Sequence, residues 1–171
     1  MNDLIVLALL LPGPKHGYQL KREAGIILGQ ETLHNNLVYP LLRGFTQHKW
    51  VSRKTVPGQR GQTRHVYSLT ALGRRELLAQ LSLFTDQDAR SAESFRFRVG
   101  MFWLLPVAAR RRIMDARETF LRGRLGRLTS VEAGFPLNRY AGEVSAHMRA
   151  EAESELRWIS HLRTLEESRK G

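Results

Sequence analysis

Two neighbouring segments of the sequence alternate apolar and polar residues as a half-exposed β-strand does. The first is WVSRKTV, Trp50 to Val56, and the second is RHVYSLT, Arg64 to Thr70. The stretch PGQRGQT joins them, is rich in glycine and has no acidic residue, so the pair is typical of a β-hairpin with a basic tip. Helical patterns precede and follow this hairpin, so the chain must combine a small sheet with helices.

Three helices are expected before the hairpin. The first runs from about Asn2 to Leu11 and is apolar on all sides, which predicts a buried helix ended by PGP. The second follows Gly17, and the third starts near Asn35 or Asn36, both of which are good N-caps. Three helices and a hairpin predict a winged helix-turn-helix domain, with the third helix as recognition helix and the hairpin as a two-stranded wing.

The third helix has an apolar stripe and a polar face that suits DNA. Asparagine pairs bidentately with adenine, arginine with guanine, and tyrosine contacts phosphate or a thymine methyl. The alternative is that the asparagines only cap the helix and the tyrosine packs sideways on the wing. The candidate recognition residues are Asn35, Asn36, Tyr39 and Arg43.

Charge supports a polyanionic partner. The chain has 27 Lys and Arg against 16 Asp and Glu, and no acidic residue lies between Glu31 and Glu76. A block of one sign within a folded segment indicates a surface that faces nucleic acid, although each cation could simply be solvated. The candidate phosphate contacts are Lys15, Tyr18, Lys21, Arg53, Lys54, Arg60 and Arg64.

The second half of the chain is helical in pattern. The polar stretch 85–94 predicts a junction, which separates a winged helix-turn-helix domain over 1–84 from an α-helical domain over 95–171. A helix is expected from about Val107 to Leu128. The last helix, about Arg139 to Glu167, is long and amphipathic with apolar residues at threes and fours, which suits dimerisation.

Several classes of protein are disfavoured. The chain lacks cysteine, has no H-E-x-x-H motif and has no histidine pair at helical spacing, so we expect no metal, no cofactor and no enzyme activity. The apolar stretch Leu4 to Leu11 is far shorter than the ~20 residues of a membrane span. We therefore expect a cytoplasmic protein that binds no membrane.

Three motifs resemble the PadR family of bacterial transcriptional regulators. They are LALLLPGPKHGYQLK (Leu7 to Lys21), VYPLLRGF (Val38 to Phe45) and GQTRHVYSLTALGRRELL (Gly61 to Leu78), in this order and at the family's spacing. The segment ELRWISHL, Glu155 to Leu162, resembles the family's last helix. The resemblance implies a homodimer that represses a promoter at a pseudo-palindromic operator and releases DNA on binding a small, often aromatic, ligand.

The resemblance also suggests where a ligand would bind. In some small PadR-like regulators a tryptophan of the last helix lines an aromatic pore at the dimer interface, and Trp158 holds that position here; the alternative is a core tryptophan that anchors the dimer. Aromatic residues of the second half could line an effector pocket with Arg96 or Arg98 for a carboxylate, or could be core. The tentative effector and dimer residues are Trp158, Trp103, Phe97 and Arg98.

One departure from the family concerns Lys49, which lies between recognition helix and wing where the family usually has glycine. That position commonly needs a left-handed turn, which costs a lysine ~1 kcal/mol. Two other functions remain open from the sequence. They are a winged helix that binds protein, and a basic RNA-binding protein.

Overall fold

The computed structural model of the chain describes residues 1–57, 63–134 and 138–168. The chain divides into two compact units, Met1–Leu83 and Phe84–Gly171. The first contains helices and a small sheet, and the described residues of the second are helical. The expected fold class, a winged helix-turn-helix domain with an α-helical second half, is confirmed.

The first helix of this unit is buried along most of its length in a core that the other helices and the sheet also form. That helix keeps all of Leu4 to Ala8 buried, as the all-apolar pattern predicted, but it ends at Ala8 and the chain continues in turns. The helices are α1 (Asn2–Ala8), α2 (Gly17–Ile27), α3 (Asn35–Gln47) and α4 (Ala71–Ser82).

The sheet of this unit has three antiparallel strands rather than two. The wing is formed by β2 (Val51–Pro57) and β3 (Thr63–Leu69), and its tip, with Arg60, lies outside the described residues. A third strand, β1 (Lys15–His16), pairs with the other edge of β3. Two residues are too few to show an alternating pattern, so the sequence did not reveal β1.

The start of α3 differs from the expectation. Its N-cap is His34, so neither Asn35 nor Asn36 caps the helix. The N–H groups of Leu37 and Val38 both donate to the His34 carbonyl, at 3.0 and 3.3 Å. Pro40 lies in the second turn, where its missing N–H removes the bond to the carbonyl of Asn36. Asn36 and Pro40 are both exposed, so water can solvate the Asn36 carbonyl.

The connection from α3 to β2 contains the left-handed residue that the sequence indicated. Lys49 has φ of 59° and is the only non-glycine residue with positive φ among the described residues. The turn is fixed on both sides, because Lys49 N–H donates to the Thr46 carbonyl at 3.1 Å and Trp50 N–H to the Phe45 carbonyl at 2.9 Å. The lysine therefore bears the strain that a glycine would avoid.

We expect Lys49→Gly to raise the free energy of unfolding of the first unit by about 1 kcal/mol, because glycine adopts this φ without steric cost. Urea unfolding followed by Trp50 fluorescence measures the change. Lys54→Gly is the matched control, since Lys54 is an exposed residue in β2 and should lose roughly 0.5–1 kcal/mol. Equal losses for both variants would contradict the strain at Lys49.

The second unit begins with a helix where the sequence suggested a junction. Thr85 caps α5, since its hydroxyl accepts from Asp88 N–H at 3.2 Å while Asp88 accepts in return from Thr85 N–H. The penultimate helix is longer than expected and runs on to Gly134. The elements are α5 (Asp86–Arg90), α6 (Ala92–Gly100), a 3-10 turn (Phe102–Leu104), α7 (Val107–Gly134) and α8 (Arg139–Glu167).

Two arginines are buried in the core of this unit. Arg117 is 2% exposed, and it donates to both carboxylate oxygens of Glu155, at 2.8 and 2.7 Å. Arg98 lies 3.2 Å from Asp88 and over the ring of Phe84. Burial alone would raise the pKa of Asp88, but hydrogen bonds from Ser94 and Thr85 and the charge of Arg98 hold that pKa below its usual value.

Candidate nucleic-acid interface

The recognition helix presents the polar face that the sequence predicted. Asn35, Asn36, Tyr39 and Arg43 are all exposed on α3, whereas Val38, Leu42 and Phe45 are buried beneath it. Within the described part of the chain, neither asparagine amide has a hydrogen-bond partner. The helix therefore offers two free amides and a guanidinium to a ligand on its outer side.

Tyr39 is partly exposed, and the contact it makes is with the start of α2, whereas the sequence offered a DNA-facing ring or a ring packed on the wing. It is 39% exposed, yet a methyl group at Gly17 would come within 3.0 Å of its ring. The start of α2 therefore supports one side of the ring and leaves another side open. Because Gly17 has no side chain, the tyrosine can lie this close to α2.

Tyr67 connects the wing to the recognition helix and was not identified from the sequence as a site residue. It is 5% exposed, and burial raises the pKa of its hydroxyl although the charge and hydrogen bond of Arg53 act in the opposite direction. The charge of Tyr39 acts, like burial, to raise the pKa of the Tyr67 hydroxyl. The signal in the sequence was the alternation of the wing, which places Tyr67 on the inner face.

Two depressions lie on either side of Tyr67. The larger, of about 450 Å³, separates the start of α2 from β3, and the smaller, of about 230 Å³, separates α3 from β2. The first is lined by His16, Gly17, Tyr18, Tyr39, Thr63, Arg64, His65 and Tyr67. The second is lined by Leu42, Arg43, Thr46, Gln47, Arg53 and Tyr67.

The predicted phosphate contacts differ in how free their charges are. Lys15 forms an ion pair with Glu23 at 2.7 Å, so its charge is largely compensated. Tyr18 is exposed and stacks on His16 with ring centroids 5.7 Å apart. Lys21 is half-buried on α2. Arg53, Lys54 and Arg64 are exposed on the wing, and Arg60 lies outside the described residues.

No described basic side chain between residues 32 and 75 forms an ion pair. The acid-free stretch of the sequence accounts for this, because no carboxylate is close along the chain. The ion pairs of the described residues lie instead near the chain start, between α2 and β1, and in the second unit, where Arg163 is paired with Asp115 and Glu118. The recognition helix and wing therefore form a surface of uncompensated positive charge.

The tentative effector residues are not brought together. Trp103 is 63% exposed, so it is not a core residue, and Arg98 is buried and paired with Asp88. Trp158 meets Phe95 edge to face at 5.7 Å and borders a cavity of about 410 Å³. Besides Trp158, the cavity is lined by Ala92, Arg96, Arg117, Leu121, Arg124, Glu151, Ala152, Ser154 and Glu155.

Residues 1–57, 63–134 and 138–168 offer neither a metal site nor a membrane span. Within these ranges no three His, Asp or Glu side chains lie close enough together to hold a metal ion. None of the helices in the same ranges has the length and hydropathy that a membrane span requires.

Comparison with known proteins identifies the first unit. Residues 6–79 match the family model described as the transcriptional regulator PadR-like family. This segment, the PadR-like domain, resembles that family in sequence. The match runs from the last residues of α1 through most of α4, so the resemblance read from the three motifs is confirmed. The PadR-like family is one of transcriptional regulators, not of enzymes.

Solved structures match either somewhat less than half of the chain or nearly all of it. Bacillus subtilis PadR in complex with operator DNA is 16% identical, and the match covers 95% of this chain and 97% of that one with a TM-score of 0.46. A transcriptional regulator from Clostridium thermocellum is 19% identical over 46% of this chain and 76% of that one, with a TM-score of 0.41. A PadR family transcriptional regulator from Eggerthella lenta is 27% identical over 44% and 63%, with a TM-score of 0.38. No curated protein matches the sequence significantly.

Proposed function

We propose that the protein is a sequence-specific regulator of transcription that binds double-stranded DNA through α3 and the wing. The observation that carries this proposal is the exposed face of α3, with two free amides and Arg43, beside the uncompensated arginines of the wing. A helix fits the major groove, and side chains near its N-terminus reach the base edges. Asn35, Asn36 and Tyr39 occupy that end of α3.

The wing and the start of α2 supply the contacts that hold DNA in register. Arg53, Lys54 and Arg64 are exposed on the wing, Tyr18 is exposed at the start of α2, and Lys21 is half-buried on the same helix. Contacts of this kind go to phosphates, and they fix orientation without reading sequence. Because Lys15 is paired with Glu23, its contribution is the weakest of the set.

A binding experiment separates this function from its alternatives. A labelled duplex and a labelled RNA hairpin of equal length are titrated with the protein at low salt, and the duplex titration is repeated over a salt series. DNA recognition predicts tighter binding to the duplex, and about four phosphate contacts per protomer predict a log–log salt slope near −7 for a dimer. Equal or tighter binding to RNA would indicate an RNA-binding protein, and no binding to either would indicate a protein-interaction module.

We also propose that the protein is a homodimer joined through α8. Ala152 and Ile159, in the apolar stripe predicted for dimerisation, are buried within the chain beside α7. A second face remains, because Tyr140 is 80% exposed, Val144 is 58% exposed and Leu165 is 49% exposed, and these three residues form the proposed seam. A twofold pair of subunits presents two recognition helices to a pseudo-palindromic operator, about one helical turn apart.

We expect Val144→Asp to shift the protein towards monomer by at least tenfold in the dimer dissociation constant, because a carboxylate would be buried at the seam. Sedimentation equilibrium measures the shift. Glu143→Asp is the control, since Glu143 neighbours Val144 in α8 and is exposed. A Val144→Asp variant that dimerises as tightly as the wild type would show that the seam lies elsewhere.

Repression and release by an effector complete the proposed function. The cavity beside Trp158 supports an aromatic carboxylate as ligand, because an indole ring and the guanidinium groups of Arg96 and Arg124 border the same space. A ligand that favours one separation of the two DNA-binding domains would shift the population off the operator. Benzoate titrated against a variant that retains Trp158 as its only tryptophan should quench its fluorescence; an unchanged signal at millimolar benzoate would reject this site.

A further inference from the structure

The smaller depression beside Tyr67 joins two elements of the proposed DNA-binding surface. Arg43 comes from α3 and Arg53 from β2, and both line the same space of about 230 Å³. Thr46 and Gln47 add polar groups to its border, while Leu42 and Tyr67 are buried beneath it. Two guanidinium groups and two polar side chains thus surround one small, open groove.

The two guanidinium groups lack a carboxylate partner in the described part of the chain. The nearest acidic residues along the sequence, Glu31 and Glu76, are distant from both arginines in the chain. Two like charges that line one groove repel each other, which disfavours the arrangement in the free protein. An anion in the groove would remove that repulsion and would satisfy the fork-shaped donors of both arginines.

Tyr67 holds Arg53 in place. The two residues are directly paired across β2 and β3, so their side chains are on the same face of the sheet. Tyr67 is buried, and Arg53 acts to lower the pKa of its hydroxyl against the effect of burial, as a guanidinium close to that oxygen would. Both side chains border the groove that α3 also lines, so the orientation of Arg53 depends on a buried side chain that is not itself positioned to touch DNA.

The position of the groove favours a phosphate over a base as its ligand. Arg43 is the ninth residue of α3, about 10 Å along the helix axis from Asn36. Base edges are read near the N-terminal end of a recognition helix, whereas wing strands contact the sugar–phosphate backbone. A groove shared by the later part of α3 and β2 therefore lies where the backbone would pass.

We propose that Arg43 and Arg53 together clamp one DNA phosphate, with Tyr67 as the positioning residue that orients Arg53. This assignment rests on the proposed function, and it moves Arg43 from reading guanine to gripping the backbone. The clamp makes the register of α3 in the major groove of the DNA depend on the wing, because both elements hold the same phosphate. Sequence reading then falls to Asn35, Asn36 and Tyr39.

A double-mutant cycle on the DNA tests the shared phosphate. Arg43→Gln, Arg53→Gln and the double variant are titrated against the duplex that the wild type selects from a random pool. Each single change should weaken binding about tenfold, whereas the double change should weaken it about 20-fold rather than the ~100-fold of independent contacts. Lys54→Gln is the control, because Lys54 is the next residue in β2 and lies on the opposite face of the strand. Its loss of affinity should multiply with that of Arg43→Gln, as expected of two independent contacts.

A second arm locates the phosphate and examines Tyr67. Methylphosphonate replaces the phosphates of the duplex one at a time, and at one position per half-site both arginine changes should lose their effect. In the wild-type background, Tyr67→Phe should weaken DNA binding about threefold. In the Arg53→Gln background the same change should leave the affinity unaltered, and it should not shift the urea unfolding midpoint. A purely structural tyrosine would weaken both proteins equally.

The outcomes separate the clamp from the function on which it rests. Additive losses, with Arg43→Gln relaxing the preference for one base pair, would overturn the clamp while leaving DNA recognition in place. Two distinct methylphosphonate positions for the two arginines would overturn it as well. A wild-type protein that binds no duplex would overturn the proposed function itself, and the clamp with it.

Discussion

Gly73→Ala should lower the free energy of unfolding of the PadR-like domain by about 3 kcal/mol, because the first turn of α4 touches the backbone of Trp50. A Cβ atom at Gly73 would lie 2.0 Å from the Trp50 carbonyl oxygen and 3.0 Å from Leu69 Cδ1. The carbonyl cannot easily yield, since Thr70 N–H donates to it at 2.9 Å. The Thr70 hydroxyl also accepts from Gly73 N–H at 2.9 Å, so helix start and strand start are tied together.

Gly44→Ala is the matched control for this change. Gly44 is also a helical glycine of the same unit, but no atom would lie within 4 Å of an added Cβ. Helix propensity alone then favours the alanine by roughly 0.5–1 kcal/mol. Urea unfolding followed by Trp50 fluorescence measures both variants. A loss below about 1 kcal/mol at Gly73 would contradict the close approach of α4 to Trp50.

Glu155→Ala should destabilise the helical unit by about 3–5 kcal/mol, because it leaves the buried guanidinium of Arg117 without its counter-charge. Arg117 also donates to the Ala89 carbonyl at 2.6 Å and lies against the ring of Phe120, so it cannot readily turn to solvent. Urea unfolding followed by Trp158 fluorescence measures the loss, since Trp158 is three residues along the same helix.

Two further variants show whether the effect comes from the unpaired charge. Glu153→Ala removes an exposed carboxylate of α8 that has no ion-pair partner among the described residues, and it should change stability by less than about 0.5 kcal/mol. The double change Arg117→Met and Glu155→Leu replaces the whole pair by apolar side chains and should recover most of the loss. A double variant as unstable as Glu155→Ala would point to packing, not charge, as the cause.

Long periodic elements were the most predictable parts of the fold. The last helix was expected from Arg139 to Glu167 and has these bounds, and the wing strands were placed within one residue. Both signals repeat over many residues, so a single misplaced side chain does not obscure them. The turn at Lys49 was also expected, because a family glycine marks a left-handed position.

The errors fall where a few residues decide the structure through distant contacts. The two-residue strand β1 exists only because β3 lies beside it, and α5 depends on the reciprocal hydrogen bonds of Thr85 and Asp88. The cap of α3 is His34, although Asn35 and Asn36 have the better intrinsic preference. The local preferences of single residues do not reflect such contacts with other parts of the chain.

The candidate site was predictable in composition but not in geometry. The sequence identified the exposed face of α3 and the basic wing, since an acid-free block and helical spacing are local properties. It could not show that Lys15 is paired with Glu23, nor that Tyr67 is buried opposite Arg53 in the wing. It also grouped Trp158 with Trp103 and Arg98, whereas Trp158 lies in a cavity with Arg96.

The central claim, that this protein reads a DNA sequence through α3, is tested most directly by selection from a pool of random duplexes. Bound duplexes are recovered at moderate salt over several rounds and sequenced, with a Tyr39→Ala, Asn36→Ala variant carried through in parallel. We predict a strongly enriched pseudo-palindrome, with half-sites about one helical turn apart, that the double variant fails to enrich. No enriched sequence for the wild type, even at low salt, would contradict the account.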